Sequence, residues 1–219
     1  MKIYTPKSKA NVQNYISNNM IYVGFNCESS VFKFPETRKS VSKLVDRKNI
    51  TSHIYYSGAE ATAYPINPTS YVYPQTSVNL YKDETTSEDI LKEKGWELNT
   101  NDIYQLIGDR GATYFTVSIL VNKDDENRVK IAEDLSKTMN DMGMFNTITK
   151  CSSQEFINRI KNGSYDMFIG ETEITPNGDL SNLLSGDNVL NYYNADCDAL
   201  LSQLGTLTEI DDIKKGWAD

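Results

Sequence analysis

The chain has 219 residues, of which 30 are acidic and 22 basic, so its formal net charge at pH 7 is -8. Apolar residues make up 39% of it, which is enough to bury a core and excludes both a disordered chain and a disulfide-held miniprotein. Because sequence-independent binding to nucleic acid needs clustered lysine and arginine, the acidic balance also argues against a nucleic-acid partner.

A single histidine, His53, limits the chemistry available to the chain. Zinc sites built on two or three histidines are excluded. A Ser-His-Asp or Cys-His arrangement would have to use His53, which lies in a stretch that we predict to be helical and half-buried. Since the glycine-rich phosphate-binding motifs of nucleotide enzymes do not occur either, the sequence predicts no metal site and no cofactor.

Three cysteines, Cys27, Cys151 and Cys197, are widely spaced and form no Cys-x-x-Cys pair. We interpret them as mostly buried thiols; the alternative, one disulfide among them, would need an oxidising compartment. The sequence has no apolar run of about 18 residues and no secretion-signal pattern. The polar start and the helical pattern that begins near residue 216 lead us to expect that both ends are cut.

In chain order, residues 20–27 are dense in β-branched and aromatic side chains and predict a strand. A helix is expected to begin at Pro35, and Asp46 is expected to cap a second helix that continues to Tyr56.

Residues 59–85 contain three prolines and several tyrosines without a regular period, so they predict a long loop. Loops of this length usually have a function or wrap a surface, which makes Tyr71 and Tyr73 candidates to line a binding site. The alternative is an aromatic loop that simply packs on the core.

The pattern Thr85-x-x-Glu88 predicts a capped short helix that ends at Gly95, and residues 103–107 predict a strand. Residues 113–122 are the most strand-like run and are apolar enough to be buried on both faces.

Helices and strands then alternate. A helix is predicted from Asp124 to Met142, with an apolar stripe at Ile131, Leu135, Met139 and Met142. A strand is expected over residues 145–151. The next helix, capped by Ser152, is expected to turn three apolar side chains inward: Phe156, Ile157 and Ile160.

With a third apolar strand from Tyr165 to Gly170, residues 113–170 read β-α-β-α-β, and right-handed crossovers make such a sheet parallel. We therefore predict one α/β unit over residues 1–219, with a mostly parallel sheet flanked by helices and a linker-like start at residues 1–19.

Ligands bind beyond the carboxyl ends of the strands in such sheets, so the segments after Val121, Cys151 and Gly170 are candidate sites. Only the last of these segments is dense in polar side chains. The candidate ligand-binding residues are Glu171, Glu173, Thr175, Asn177 and Asp179, together with Tyr71 and Tyr73 of the loop.

Glu171 and Glu173 lie two apart on an extended segment and are expected to point the same way. Paired carboxylates suit the acid and base of a glycoside hydrolase, which is one alternative. The interpretation that we favour is electrostatic or hydrogen-bonding contact with a ligand.

Several segments resemble a known family in their order and spacing. They are Tyr22-Val-Gly-Phe-Asn26, Phe34-Pro-Glu-Thr-Arg-Lys-Ser-Val-Ser-Lys-Leu-Val-Asp-Arg47, Leu91-Lys-Glu-Lys-Gly-Trp96, Leu120-Val-Asn122, Arg128-Val-Lys-Ile-Ala-Glu133, Gly163-Ser-Tyr-Asp166 and Tyr192-Tyr-Asn194 ahead of Asp198-Ala-Leu-Leu201. Together they resemble the extracellular solute-binding proteins of family 5, the peptide- and nickel-binding components of ABC importers. The similarity covers about residues 15–215 and corresponds to the C-terminal lobe of the family's two-lobed structure.

The resemblance implies a lobe of the type II periplasmic-binding-protein fold, hinge closure on a peptide or another small solute, and delivery to an ABC permease, without catalysis. It also implies an extracellular location, either as a cell-surface lipoprotein or in the periplasm, with the membrane contacted only through a lipid anchor outside these residues.

In many peptide-binding members of the family, an aspartate after the buried strand pairs with the amino terminus of the ligand. Glu171, Glu173 or Asp179 would replace it here, although the usual Trp and Asp-Pro pattern is absent, so the ligand class stays open. A further alternative is an interaction module that kept the fold and lost the ligand.

Overall fold

The computed structural model describes residues 17–62, 64–74, 84–175, 180–186 and 188–216. Its strands are β1 (Asn19–Phe25), β2 (Trp96–Leu98), β3 (Tyr104–Gly108), β4 (Gly111–Tyr114), β5 (Thr116–Asn122), β6 (Phe145–Cys151) and β7 (Met167–Glu173). Its α-helices are α1 (Pro35–Leu44), α2 (Arg47–Asn49), α3 (Ser87–Glu93), α4 (Glu126–Asp141), α5 (Ser153–Lys161), α6 (Ser181–Leu184), α7 (Ala195–Leu204) and α8 (Ile210–Gly216). A π-helical turn, Ile50–Ile54, follows α2 directly.

The main sheet has the strand order β1-β7-β5-β6. β5 runs parallel to both β6 and β7, as the β-α-β-α-β pattern predicted, because α4 and α5 return the chain to the same end of the sheet. β1 closes the other edge antiparallel to β7. The prediction of an α/β fold with a mostly parallel sheet and flanking helices is confirmed.

Helices cover both faces of β5, which explains why its residues 119–121 are buried without interruption. On one face, Ile119 and Val121 share a core with the predicted stripe of α4. On the other face, Leu120 packs in a smaller cluster with Phe156 of α5.

Phe168 of β7 is the centre of this smaller cluster and is 1% exposed. Its ring makes edge contacts with Tyr22, Phe156 and Tyr165 at centroid distances of 5.6, 6.0 and 5.0 Å. The ring also lies directly on the strand backbone at Gly24 and Gly170, where an added Cβ would collide with it. These two positions therefore need glycine because of the space available, not because of their backbone angles.

A second, antiparallel sheet of order β2-β3-β4 lies between α3 and β5 in the chain. The single strand predicted over residues 113–122 is wrong, because the chain divides there into β4 and β5 at Phe115. The buried ring of Phe115 packs on the ring of Trp96 at a centroid distance of 5.7 Å. The backbone N–H of Phe115 donates to the carbonyl of Tyr104 at 2.7 Å. That backbone bond belongs to the second sheet, so the chain changes sheets at this residue.

Three local predictions need correction. The capping box of α3 is formed by Thr86 and Asp89, one residue after the predicted pair of Thr85 and Glu88. The two pairs have the same spacing of a threonine and an acidic residue, so the sequence pattern does not distinguish them. His53 is exposed rather than half-buried; it lies in the π-helical turn, in which the neighbouring Ile54 is the buried residue. Ile157 of α5 is 46% exposed, while Phe156 on the same helix is buried.

Asn26, just after β1, is 7% exposed and hydrogen-bonds its own segment to two others, around residues 163–165 and 191. Its side-chain amide donates to the carbonyls of Gly163 and Tyr165, at 3.2 and 3.1 Å. Its side-chain oxygen accepts from the N–H of Glu28 and from the side-chain amide of Asn191, at 3.1 and 3.0 Å. All of its hydrogen-bonding capacity is therefore used inside the protein.

The last described helices are more exposed. Asn194 caps α7 by accepting from the N–H groups of Asp196 and Cys197, yet neither α7 nor α8 has a buried residue. Within the described residues, no helix is both long and apolar enough to cross a membrane. The three cysteines are free; Cys151 is buried as predicted, whereas Cys27 and Cys197 are only partly buried.

Candidate functional site

The predicted site lies where β7 passes the end of the buried sheet. Its register with β1 pairs Glu171 with Ile21 and Glu173 with Asn19. Being two residues apart on a strand, Glu171 and Glu173 lie on the same face of the sheet. We call this region, formed by the ends of β1 and β7 and the first turn of α4, the ligand edge.

Glu171 uses both of its carboxylate oxygens within the protein. Oε1 accepts a hydrogen bond from the side-chain amide of Asn19 at 2.8 Å, and Oε2 lies 3.7 Å from the guanidinium of Arg128. The Arg128 side chain is only 14% exposed, so its charge needs nearby carboxylates. Asp125 provides the other one, with its Oδ2 at 2.8 Å from Nε of Arg128.

The first turn of α4 explains how Arg128 is held. Asp125 caps the helix by accepting the N–H of Arg128 at 2.9 Å, which orients the arginine from the same residue that pairs with its side chain. Burial opposes ionisation of Asp125, but the hydrogen bonds and charge of Arg128 outweigh it and hold the pKa of that carboxyl below its usual value.

Tyr55, at the end of the π-helical turn, faces the same charges. Burial, followed by the negative charges of Asp125 and Glu171, raises the pKa of Tyr55 to about 12, although Arg128 opposes the shift. The neutral phenol is therefore the form that this site favours.

Tyr55→Phe is expected to make the free energy of unfolding less dependent on pH in the alkaline range. A folded-state pKa above the ordinary 10 gives stability that is complete below about pH 10 and is lost as pH rises through about 12. The phenylalanine variant lacks this loss. Urea unfolding at several pH values checks it, with Tyr71→Phe, at a tyrosine that is 70% exposed, as the control. An unchanged pH dependence in Tyr55→Phe would contradict the assignment.

Glu173 and Thr175 extend beyond this network and are exposed. The carboxylate of Glu173 has no hydrogen-bond or ion-pair partner among the described residues. Between them, Ile174 is buried and donates its N–H to the carbonyl of Asn18 at 2.8 Å, which fixes this stretch against the start of β1. Asn177 and Asp179 lie outside the described residues.

The long loop reaches the same edge through Asn18. The side-chain amide of Asn67 donates to the side-chain oxygen of Asn18 at 3.0 Å. Tyr73 packs edge-on against Tyr64 at 5.6 Å, whereas Tyr71 is 70% exposed. Part of the loop therefore packs on the protein through the buried Tyr64, while Tyr71 faces solvent; that Tyr71 and Tyr73 line a binding site stays a prediction.

Sequence reasoning missed Asn19, Tyr55, Asp125 and Arg128. The segment after Val121 is one of the candidate strand ends, but its sequence does not indicate the contact between Arg128 and Glu171. That contact depends on how α4 lies on the sheet. A basic residue in the first turn of the helix after β5, where the helix dipole does not favour it, was the available signal.

The two carboxylates of the ligand edge differ in their partners. Glu171 accepts a hydrogen bond from Asn19 and lies beside Arg128, whereas Glu173 has no partner among the described residues. No group of three or more His, Cys, Asp or Glu side chains in the described part of the chain is arranged to hold a metal ion. Two concave surfaces lie elsewhere, one between α1 and α4 and one on the three-stranded sheet, and neither is lined by Glu171 or Glu173.

The chain is similar in sequence to two binding proteins. The oligopeptide-binding protein AppA of Bacillus subtilis is 24% identical over 127 residues, which are 57% of this chain and 23% of AppA. Heme-binding protein A of Haemophilus influenzae is 22% identical over 199 residues, which are 87% of this chain and 34% of that protein. The chain thus spans about a quarter to a third of the length of these relatives.

Solved structures show the same fold. AppA from Bacillus subtilis, in complex with a nonapeptide, matches 91% of this chain with a TM-score of 0.79 at 19% identity. NikZ from Campylobacter jejuni, in complex with Ni(L-His), matches 92% with a TM-score of 0.75 at 18% identity. In each case the match covers 41% of the solved chain.

A family model decides the membership. The model described as bacterial extracellular solute-binding proteins, family 5 Middle, matches residues 2–190, which is most of the 219-residue chain. The type II periplasmic-binding-protein fold of the structural matches agrees with it. The chain belongs to the bacterial extracellular solute-binding proteins of family 5.

Proposed function

We propose that this chain is one lobe of the substrate-binding component of an ABC importer. In this proposal the lobe closes by a hinge against a second lobe around a peptide or another small solute, and performs no chemistry on it. Family membership and the names of the relatives support the proposal, since they include an oligopeptide-binding protein and a complex with Ni(L-His).

One observation carries the assignment of the site: the ligand edge holds one carboxylate that is engaged by neighbouring side chains beside one open carboxylate. Glu171 is paired with Arg128 and fixes the scaffold, whereas Glu173 projects beyond it without a described partner. We assign Glu173 to a cationic group of the ligand, such as a peptide ammonium, because a charge-assisted hydrogen bond both orients and binds such a group.

The remaining candidate residues would complete this half of the cleft. Thr175 follows Glu173 on the same segment, and the tie between Asn67 and Asn18 brings the loop of Tyr71 and Tyr73 toward it. In this proposal Asn177 and Asp179 extend the lining, Tyr71 offers an exposed ring to an apolar part of the ligand, and Tyr73 supports it.

The proposal includes partners and a location. The ligand would pass to a membrane permease of the importer, and the protein would act outside the cytoplasmic membrane, in the periplasm or as a lipid-anchored protein at the cell surface. The family model, which is one of extracellular solute-binding proteins, supports the location.

Glu173→Gln is expected to weaken ligand binding about tenfold, since one charge-assisted hydrogen bond becomes a neutral one. The two-lobed protein is titrated by calorimetry with a pentapeptide library that has free amino termini, and with the same library after N-acetylation. Acetylation should weaken binding to wild type strongly and have little further effect on the Glu173→Gln variant.

Glu97→Gln is the matched control, because Glu97 is also an exposed strand glutamate but lies on β2. It should bind as wild type does. Equal affinity of wild type and Glu173→Gln would refute the site. If neither the library, Ni(L-His) nor haem binds a folded two-lobed protein, the interaction module becomes the better account. Hydrolysis of glycosides that is lost in Glu173→Gln would instead favour the hydrolase.

A further inference from the structure

The three-stranded sheet carries a shallow concave surface of about 550 Å³ that is separate from the ligand edge. It lies over β2, the turn to β3, and β4. We call it the sheet pocket; its polar lining consists of Glu97, Asn99, Thr100, Asn101, Gln105 and Tyr114.

The lining is mostly neutral and capable of hydrogen bonding. Glu97 is the one charged side chain among the described residues that line it, and none of these residues is basic. The side chains of Thr100, Asn101 and Gln105 form no hydrogen bond with described residues, and each carries both a donor and an acceptor. Tyr114 is 52% exposed and presents an aromatic surface beside them.

The turn that forms one wall is held firmly. The side-chain oxygen of Asn99 accepts the N–H groups of Asn101 and Ile103 at 2.8 and 3.1 Å. Behind the turn, the backbone of Gly143 approaches Asp102 and Leu98 so closely that an added Cβ would lie 2.6 Å from atoms of both. A wall fixed in this way loses little conformational entropy when a ligand binds.

We propose that the sheet pocket binds a neutral oligosaccharide. Side-chain amides both donate and accept, as sugar hydroxyls do, and the Tyr114 ring would stack on the apolar face of a sugar ring. The absence of basic residues from the described lining disfavours binding of phosphate and other anions. The single carboxylate, that of Glu97, would bind a cation only weakly. The pocket is shallow, so the affinity is expected to be millimolar.

The test is an NMR titration of the 219-residue chain with chitotriose and with cellotriose. At least one of them should give saturable shifts confined to the amides of residues 97–105 and 111–114. Tyr114→Ala should weaken this binding at least about tenfold, whereas Tyr114→Phe, which keeps the ring, should stay within about threefold of wild type. Gln105→Ala should weaken binding severalfold.

Tyr193→Ala is the matched control, because Tyr193 is a similarly exposed tyrosine remote in sequence from the sheet pocket. It should leave the sugar titration unchanged. The proposal is overturned if neither sugar gives saturable shifts, if the shifts persist in Tyr114→Ala, or if a peptide rather than a sugar binds at these residues. Each result is independent of solute binding at the ligand edge, which involves other residues.

Discussion

Phe168→Ala is expected to lower the free energy of unfolding by about 3–5 kcal/mol. The ring is 1% exposed and touches three other aromatic rings, so its removal loses both the burial of a large apolar side chain and the edge contacts. Urea unfolding followed by circular dichroism measures the change, and a shifted midpoint with an unchanged slope would show that the denatured state is the same.

Phe145→Ala is the matched control for this prediction. Phe145 lies at the start of β6 and is 46% exposed, so its loss should cost less than about 1 kcal/mol. If Phe168→Ala does not fold, Phe168→Leu, which leaves a smaller cavity, gives the same comparison. Equal losses at positions 145 and 168 would contradict the packing described for β7.

Asn26→Ala is expected to cost about 3 kcal/mol, a large effect for a side chain of this size. The substitution leaves the buried carbonyl of Tyr165 without this partner, and an unsatisfied buried group costs about 1–3 kcal/mol. It also removes the part-buried bonds to the carbonyl of Gly163 and the N–H of Glu28, each of which adds a smaller loss. The lost contact with Asn191 should also loosen the segment around Leu190, so the amide of Cys27, which donates to the Leu190 carbonyl, should exchange its hydrogen faster.

Asn26→Asp separates hydrogen bonding from shape. It keeps the size of the side chain but turns an oxygen instead of an amide toward two carbonyls, so it should be at least as destabilising as alanine. Asn101→Ala, at an exposed asparagine in the β2–β3 turn, is the neutral control. A mild effect of Asn26→Asp would mean that the network contributes little to stability.

The parts of the fold that could be predicted depend on local periodicity. The helix α4 and its stripe follow from spacings of three to four residues, the strand β6 from alternation, and β7 from a continuous apolar run. Sheet pairing across long separations does not follow from them. Neither the antiparallel position of β1 beside β7 nor the division at Phe115 has a local signal, because each depends on backbone partners far away in sequence.

The site shows the same division between local and distant information. The shared direction of Glu171 and Glu173 follows from the period of a strand. Their different partners do not, since only the packing of α4 against the sheet brings Arg128 to Glu171 and leaves Glu173 without a described partner. Two residues that are equivalent in the sequence thus acquire different surroundings in the fold.

The contact of the Phe168 ring with the backbone at Gly24 and Gly170 has a consequence for how this sheet can evolve. An alanine at either glycine meets the ring, and a smaller side chain at position 168 leaves a cavity over both. Each change alone is unfavourable, and a smaller residue at 168 relieves only the contact with the ring, since an added Cβ would also lie 2.9 Å from Leu190 at position 24 and 2.8 Å from Tyr22 at position 170. Substitutions at positions 24, 168 and 170 are therefore energetically coupled, and the side chains around them limit which combinations fit.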